Sequence, residues 1–209
     1  MRREGPDVSG EPTRGVPIVL ASSSPRRREL LGLLGLTFDV APTDVDETWR
    51  NGEPPAVHAE RLAREKAAAR ARPGAAVIGA DTIVVIDGAI LGKPRDAVEA
   101  GAMLRRLAGR EHEVFTAVAV AYGGRTASGF RRTAVTFRPL DDGTVAEYVA
   151  TGEPLDKAGA YGIQGFGAVL VDRIDGDYFT VMGLGLRLLV DLLAAVGLRY
   201  RFGAVTPAA

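Results

Sequence analysis

The residues of this chain best suited to chemistry begin at Ser22, Ser23 and Ser24, followed by Pro25 and then Arg26, Arg27 and Arg28. Pro25 fits the first position of a helix, where its missing N–H would have had no partner. Three arginines then crowd the first helical turn, the positive end of the helix dipole, where each cation is disfavoured by roughly 0.3–1 kcal/mol. Stability alone would place acids there. An anion held jointly by backbone N–H groups, serine hydroxyls and guanidinium groups accounts for the pattern, against the competing reading of a solvated basic turn.

A carboxylate is the second feature. Asp81 follows the apolar run 75–80, and a carboxylate at the end of a buried strand is costly unless it is paired, bound to a metal or catalytic. In α/β proteins the carboxyl ends of strands are where ligands collect. Lys66 lies one helical turn beyond Leu62 and can point along that apolar stripe, while Lys93 is pinned by Pro94. Taken singly, each of these cations also reads as a surface residue. The run GAILGK before Pro94 has three residues between its glycines instead of four, which excludes a P-loop.

The elements that must hold these groups follow from pattern. Residues 17–21 read as a buried strand, and the helix from Pro25 runs to a stop at Gly35. A second strand is expected at 37–40, then a polar loop carrying Asp44, Asp46 and Glu47, then an alanine-rich helix over 56–72 ended by Pro73 and Gly74. Strands at 75–80 and 83–86 flank Asp81 and Thr82, and Asp87-Gly88 turns the second of these into 89–91. Asp96 caps a helix to about Ala108, and a long hairpin turns at Gly123-Gly124. A helix starts near Asp142, a Gly- and Pro-rich segment covers 151–169, a hairpin is expected across Asp175-Gly176 from 169–174 to 178–182, and a final helix spans 184–196.

Composition bounds what such a site can be. Lys+Arg and Asp+Glu both number 26 among 209 residues, so the balanced charge gives no footprint for nucleic acid or anionic lipid. Without cysteine there is no disulfide, thiolate metal site or thiol nucleophile, a composition compatible with the cytoplasm. With only His58 and His112 present, any metal should be a hard cation on carboxylates. No apolar run reaches the 18 or more residues of a membrane span. Residues 1–15 are expected to form a disordered leader, 16–202 one α/β domain and 203–209 a flexible tail.

The strings LASSSPRRRELL, LAREKA, GADTIVV, LGKPRDA and EPLDKAGAYGIQG, in this order, resemble the Maf family of nucleoside triphosphate pyrophosphatases from about residue 18 to 196. The resemblance implies an elongated mixed sheet with flanking helices and two lobes around a cleft, an architecture related to inosine triphosphatase. It implies hydrolysis of a nucleoside triphosphate to the monophosphate and pyrophosphate with a divalent cation, Mg2+ or Mn2+, in a homodimer. By the same resemblance Ser24, Arg26 and Arg27 bind phosphate, and Glu47, Lys66, Asp81 and Lys93 form the charged set, with Asp81 as proton acceptor. Arg26, Thr82 and Gln164 select the substrate. The GAYGIQG form is similar to members acting on dTTP and UTP; a 7-methyl-GTP pyrophosphatase and a regulator of septum formation are the alternatives. Ser23 departs from the glycine that other members often carry.

The chemistry of these residues agrees with that implication. Glu47 and Asp81 are the candidate metal carboxylates, with Asp44 and Asp46 as second choices. The carboxamide of Gln164 can accept from the N3–H of uracil or thymine and donate to a ring carbonyl, a pairing that cytosine lacks because its N3 is an acceptor. Trp49 could stack on a base or cover a core edge, and the two histidines are expected to be structural or exposed.

Overall fold

The computed structural model describes residues 15–208, so the expected leader falls, but for Gly15, outside the described residues. A seven-stranded mixed sheet runs in the order β2-β1-β3-β5-β6-β7, with β4 beside β3. The strands are β1 (Ile18–Leu20), β2 (Phe38–Val40), β3 (Ala76–Ile86), β4 (Ala89–Leu91), β5 (Glu111–Tyr122), β6 (Arg125–Phe137) and β7 (Val171–Asp175). β1 is parallel to β2 and β3, and every other pairing in the sheet is antiparallel. The helices are α1 (Pro25–Leu33), α2 (Pro55–Ala69), α3 (Ala97–Leu107), α4 (Asp142–Ala150), α5 (Tyr178–Met182) and α6 (Leu186–Ala195).

The sheet is organised by β3. Its alternation sends Val77, Ile83 and Val85 into a core against the alanines of α2, and the opposite residues to the other face. On that other face Ile78 and Ala80 join a core with α1 and α6, whereas Val84 and Ile86 join a separate core with α3 and α4. Thr82 stands between these two cores. Gly79 allows the closest approach of α2, because a Cβ there would lie 2.2 Å from the Ala63 carbonyl oxygen.

The pairing of β3 leaves an opening in the sheet. β5 pairs with β3 along residues 77–85, while on the opposite edge β1 covers 76–78 and β4 covers 84–86. Among the described residues no strand pairs with 79–83 on that edge. Asp81 and Thr82 lie in this window and point to opposite faces of the sheet. Two expected strands separated at Asp81 are thus one 11-residue strand. The long antiparallel partner β5 carries the pairing through the polar residues, which local apolar content does not reveal.

Two further expectations are corrected. Residues 178–182 do not return as a strand: Asp177 accepts hydrogen bonds from Phe179 and Thr180 N–H, and Gly183 closes α5 at φ +113°. These two caps override the β propensity of YFTVM, and β7 pairs with β6 instead. The expected tail also contains regular structure among the described residues, since β9 (Val205–Pro207) pairs with β8 (Leu198–Tyr200) and Val205 is 1% exposed. Val205 is drawn into the α1–α6 core, and its carbonyl accepts from Val16 N–H at 2.7 Å.

Candidate active site

A cleft of about 840 Å³ opens at the window in β3, within the ~300–1,000 Å³ typical of ligand pockets. Ser24, Arg26, Arg27, Glu47, Lys66, Asp81, Thr82, Lys93 and Gln164 all line it, although they come from six separate segments. Arg28 is exposed and does not line the cleft.

One pole is a lysine between two carboxylates. Lys66, on the inward stripe of α2 with Leu62, places Nζ 2.7 Å from Asp81 Oδ1 and 2.6 Å from Glu47 Oε1. Lys66 and Asp81 are 8% and 7% exposed, so each charge depends on the other in a place where unpaired charge is very costly. Glu47 arrives on the loop between β2 and α2. Burial alone would raise its pKa, but the bond to Lys66 and the charges of Lys66, Lys93 and Arg27 hold the carboxyl below its ordinary value.

That loop is anchored by a polar cluster missed by sequence reasoning. Glu53 accepts from Arg61 Nε at 2.8 Å and lies 3.1 Å from His58 Nδ1, while Arg61 also donates to the Thr48 carbonyl. Arg61 first, then His58, against the opposing effect of burial, holds the Glu53 carboxyl down to about 2. Trp49 stacks on His58 with centroids 4.9 Å apart, and both rings line the cleft. His58 is thus held by Glu53 at the cleft wall, and Trp49 covers its ring.

The second pole is the start of α1. Ser24 caps the helix, accepting from Arg27 N–H at 3.4 Å, and no acid occupies the first turn. Arg27 turns inward: Nε donates to the Gly183 carbonyl at 2.9 Å, Nη1 to Ser22 Oγ at 3.2 Å and Nη2 to Thr82 Oγ1 at 3.1 Å. All three acceptors are neutral, so the guanidinium keeps its full charge for an incoming anion. Burial pushes its pKa below the ordinary arginine value; Asp81 and Glu47 oppose that push, and Arg26 adds to it. Arg26 itself pairs with Asp156 at 3.1 Å.

Hydroxyl protons order the contacts of Thr82. Thr116 Oγ1 donates to the Thr180 carbonyl at 2.7 Å, so its single proton is committed. Thr82 must then donate across the 2.9 Å contact to Thr116 while accepting from Arg27. One lone pair of Thr82 remains for a ligand, and it can only accept. Ser22, already part of the serine run in sequence, and Thr116, which no local pattern marks, are both buried and are thus the supports of Arg27 and Thr82.

The third element is the glycine-rich segment. Gln164 donates through Nε2 to Glu29 Oε1 at 3.1 Å. Because a carboxylate only accepts, this contact turns the amide nitrogen toward α1 and leaves Gln164 Oε1 as the outward acceptor. Gly159 donates its N–H to the Gly92 carbonyl at 3.1 Å, tying this segment to the turn before Lys93. Gly159 has φ +69°, and a Cβ there would meet Val84 at 2.9 Å, so the close approach requires glycine.

The donor set can also be tested for a metal. Among the described residues no group of three or more His, Cys, Asp or Glu is arranged to hold an ion. Glu47 and Asp81, joined through one lysine nitrogen, fit the other arrangement, in which Mg2+ takes one or two carboxylates and completes its shell with phosphate oxygens and water.

A mixed α/β sheet whose cleft sets guanidinium groups and lysines around a buried carboxylate defines an α/β protein with a cleft suited by charge to a polyanion. The chain belongs to the Maf family: the family model described as "Maf-like protein" matches residues 17–196. A "dTTP/UTP pyrophosphatase" of Moorella thermoacetica is 54% identical over 184 residues, covering 86% of this chain and 95% of that protein. A "dTTP/UTP pyrophosphatase" of Myxococcus xanthus is 52% identical over 183 residues, covering 87% and 93%. Among solved structures, a HAM1 protein from Coxiella burnetii superimposes with a TM-score of 0.45 at 17% identity, covering 75% of this chain and 80% of that one.

Proposed function

We propose that this chain hydrolyses dTTP and UTP to the monophosphate and pyrophosphate. The observation that carries the reading is Lys66 bridging Asp81 and Glu47 in the same cleft as Arg26, Arg27 and Gln164. The names of the relatives at about half identity support the pyrimidine branch over 7-methyl-GTP. Nothing in the cleft favours a purely regulatory role in septum formation.

In this reading Arg26, Arg27 and Lys93 neutralise the triphosphate and the charge that builds up on departing pyrophosphate. Ser24 donates its hydroxyl proton to a phosphate oxygen. Asp81 takes the proton from the attacking water, which adds to the α-phosphorus as the bond to the bridging oxygen breaks and pyrophosphate leaves. Lys66 holds Asp81 aimed before the substrate arrives. Glu47 would hold a divalent cation, Mg2+ or Mn2+, which would supply further charge neutralisation at the phosphates, with Asp81 beside it acting on the water, because a carboxylate bound directly to the ion could not also serve as the base. Gln164 Oε1 accepts from the N3–H of uracil or thymine, and CTP is rejected because its N3 offers no proton. In the same reading the enzyme acts in the cytoplasm as a homodimer, which rests on its membership of the Maf family.

Product analysis tests the bond cleaved. UTP incubated with the protein and Mg2+ should yield UMP and pyrophosphate in equal amounts; UDP and orthophosphate would overturn the assignment.

A further inference from the structure

Gln164 sits on a short turn whose backbone is gripped from behind by a carboxylate and a phenol. Glu153, in the 3-10 turn Glu153–Asp156, accepts through Oε2 from Phe166 N–H at 2.9 Å and through Oε1 from Gly167 N–H at 3.0 Å. Tyr148, on the last turns of α4, donates its hydroxyl to the same Oε1 at 2.9 Å and accepts from Gly162 N–H at 3.2 Å. Both ends of the segment 162–167 are therefore bonded to one two-residue clamp, and Gln164 lies between them.

The fit leaves no room for slack. A Cβ on Gly167 would lie 2.3 Å from the Gly162 carbonyl oxygen and 2.5 Å from Tyr148 Oη, and one on Gly165 would lie 2.6 Å from Glu153 Oε2. Lys157 adds a bond from Nζ to the Glu153 carbonyl at 2.6 Å. Burial acts to raise the Glu153 pKa, yet the Gly167 and Phe166 N–H groups, the Tyr148 hydroxyl and Lys157 together hold it below the ordinary carboxylate value, so the clamp is anionic at neutral pH. Burial pushes the Tyr148 phenol up, and its hydrogen bond to Glu153 adds to this, so the phenol keeps the proton it donates.

We infer that Glu153 and Tyr148 are positioning residues for base selection: they fix the Gly162–Gly167 turn so that Gln164 meets the pyrimidine edge at hydrogen-bonding distance. The inference rests on the base-reading role proposed for Gln164. Neither residue lines the cleft, so their effect on substrate choice must pass through the turn. A carboxylate that accepts two backbone N–H bonds and a phenol bond is replaced poorly by an amide, because one end of the amide would present donors to donors.

The test measures kcat/KM for UTP and for CTP in Tyr148→Phe, Glu153→Gln, Gln164→Ala and the Tyr148→Phe/Gln164→Ala double variant. Thermal unfolding of each confirms a folded chain, and Tyr148→Phe keeps the ring in place should Glu153→Gln fold poorly. The UTP:CTP ratio should fall roughly fivefold in Tyr148→Phe, the equivalent of one lost hydrogen bond, and the double variant should show the ratio of Gln164→Ala alone. A ratio that collapses in Gln164→Ala but stays at the wild-type value in Tyr148→Phe overturns the positioning role and leaves the base-reading role standing. A ratio unchanged in Gln164→Ala overturns the base-reading role, and the inference with it.

Discussion

Lys66 Nζ and Asp81 Oδ1 meet at 2.7 Å across the contact between α2 and β3, both residues under a tenth exposed. The pair exists because Gly79 lets α2 press onto β3 at the stretch 79–83, where among the described residues no strand pairs with the edge opposite β5. Removing the ammonium while keeping its stem, as in Lys66→Met, leaves a buried carboxylate uncompensated. The variant should lose about 3–5 kcal/mol of unfolding free energy in urea titration. Asp81→Asn should lose less stability, because an amide is cheaper to bury, while turnover falls at least 100-fold.

The closeness of α2 and β3 is itself testable. Gly79→Ala inserts a methyl group against the Ala63 carbonyl oxygen and the Ala67 nitrogen, backbone atoms that cannot rotate away. About 1–3 kcal/mol of stability should be lost through forced separation. Activity should fall along with it because Lys66 moves with the helix, and a thermal melt beside an activity assay reads both.

Much of this arrangement was legible in the residues before any coordinates. The helix start at Pro25 with its basic first turn, capped by Ser24 and lacking acids, was readable, and the apolar stripe through Leu62 allowed the inward path that Lys66 takes, although as a lone lysine it read equally as a surface residue. The supports were not legible. Thr116, Tyr148 and Glu153 act through contacts made 5 to 64 residues away in sequence, and nothing in their own neighbourhoods distinguishes them from ordinary buried or capping groups. The α5 error has the same origin: YFTVM has strand propensity, and only its caps, Asp177 and Gly183, make it a helix.

Arg27 is aimed by a chain of hydroxyls, so the end of that chain can be cut far from substrate. Thr116→Val removes the acceptor for the Thr82 proton without changing volume much. KM for UTP should rise about fivefold, the value of one hydrogen bond, with a smaller change in kcat. Steady-state kinetics separate the two parameters.

A pH effect on stability follows from His112, which is 2% exposed, bonded to Tyr161 Oη at 2.8 Å and packed edge-on to Phe137. Burial pushes its pKa down to about 4 from 6.5. The folded chain holds this ring neutral while the unfolded chain protonates it first, so stability is full above pH 6.5 and declines as pH falls toward 4, by about 3 kcal/mol. His112→Phe should be less stable at pH 7 because Tyr161 loses its partner, but its urea midpoint should vary less with pH across that window.

The metal reading predicts that chelation by EDTA abolishes hydrolysis and that Mg2+ or Mn2+ restores it. Glu47→Gln should raise the metal concentration needed for half-maximal rate at least tenfold, measured by titrating Mg2+ at saturating UTP.

The most direct test of the whole account is pyrophosphate release from UTP, dTTP, CTP and 7-methyl-GTP by the wild-type chain under one set of conditions. The account predicts high kcat/KM for UTP and dTTP and values at least 10²-fold lower for CTP, as expected of a site that reads a base by hydrogen bonds. Equal turnover of CTP and UTP, or a preference for 7-methyl-GTP, would contradict it.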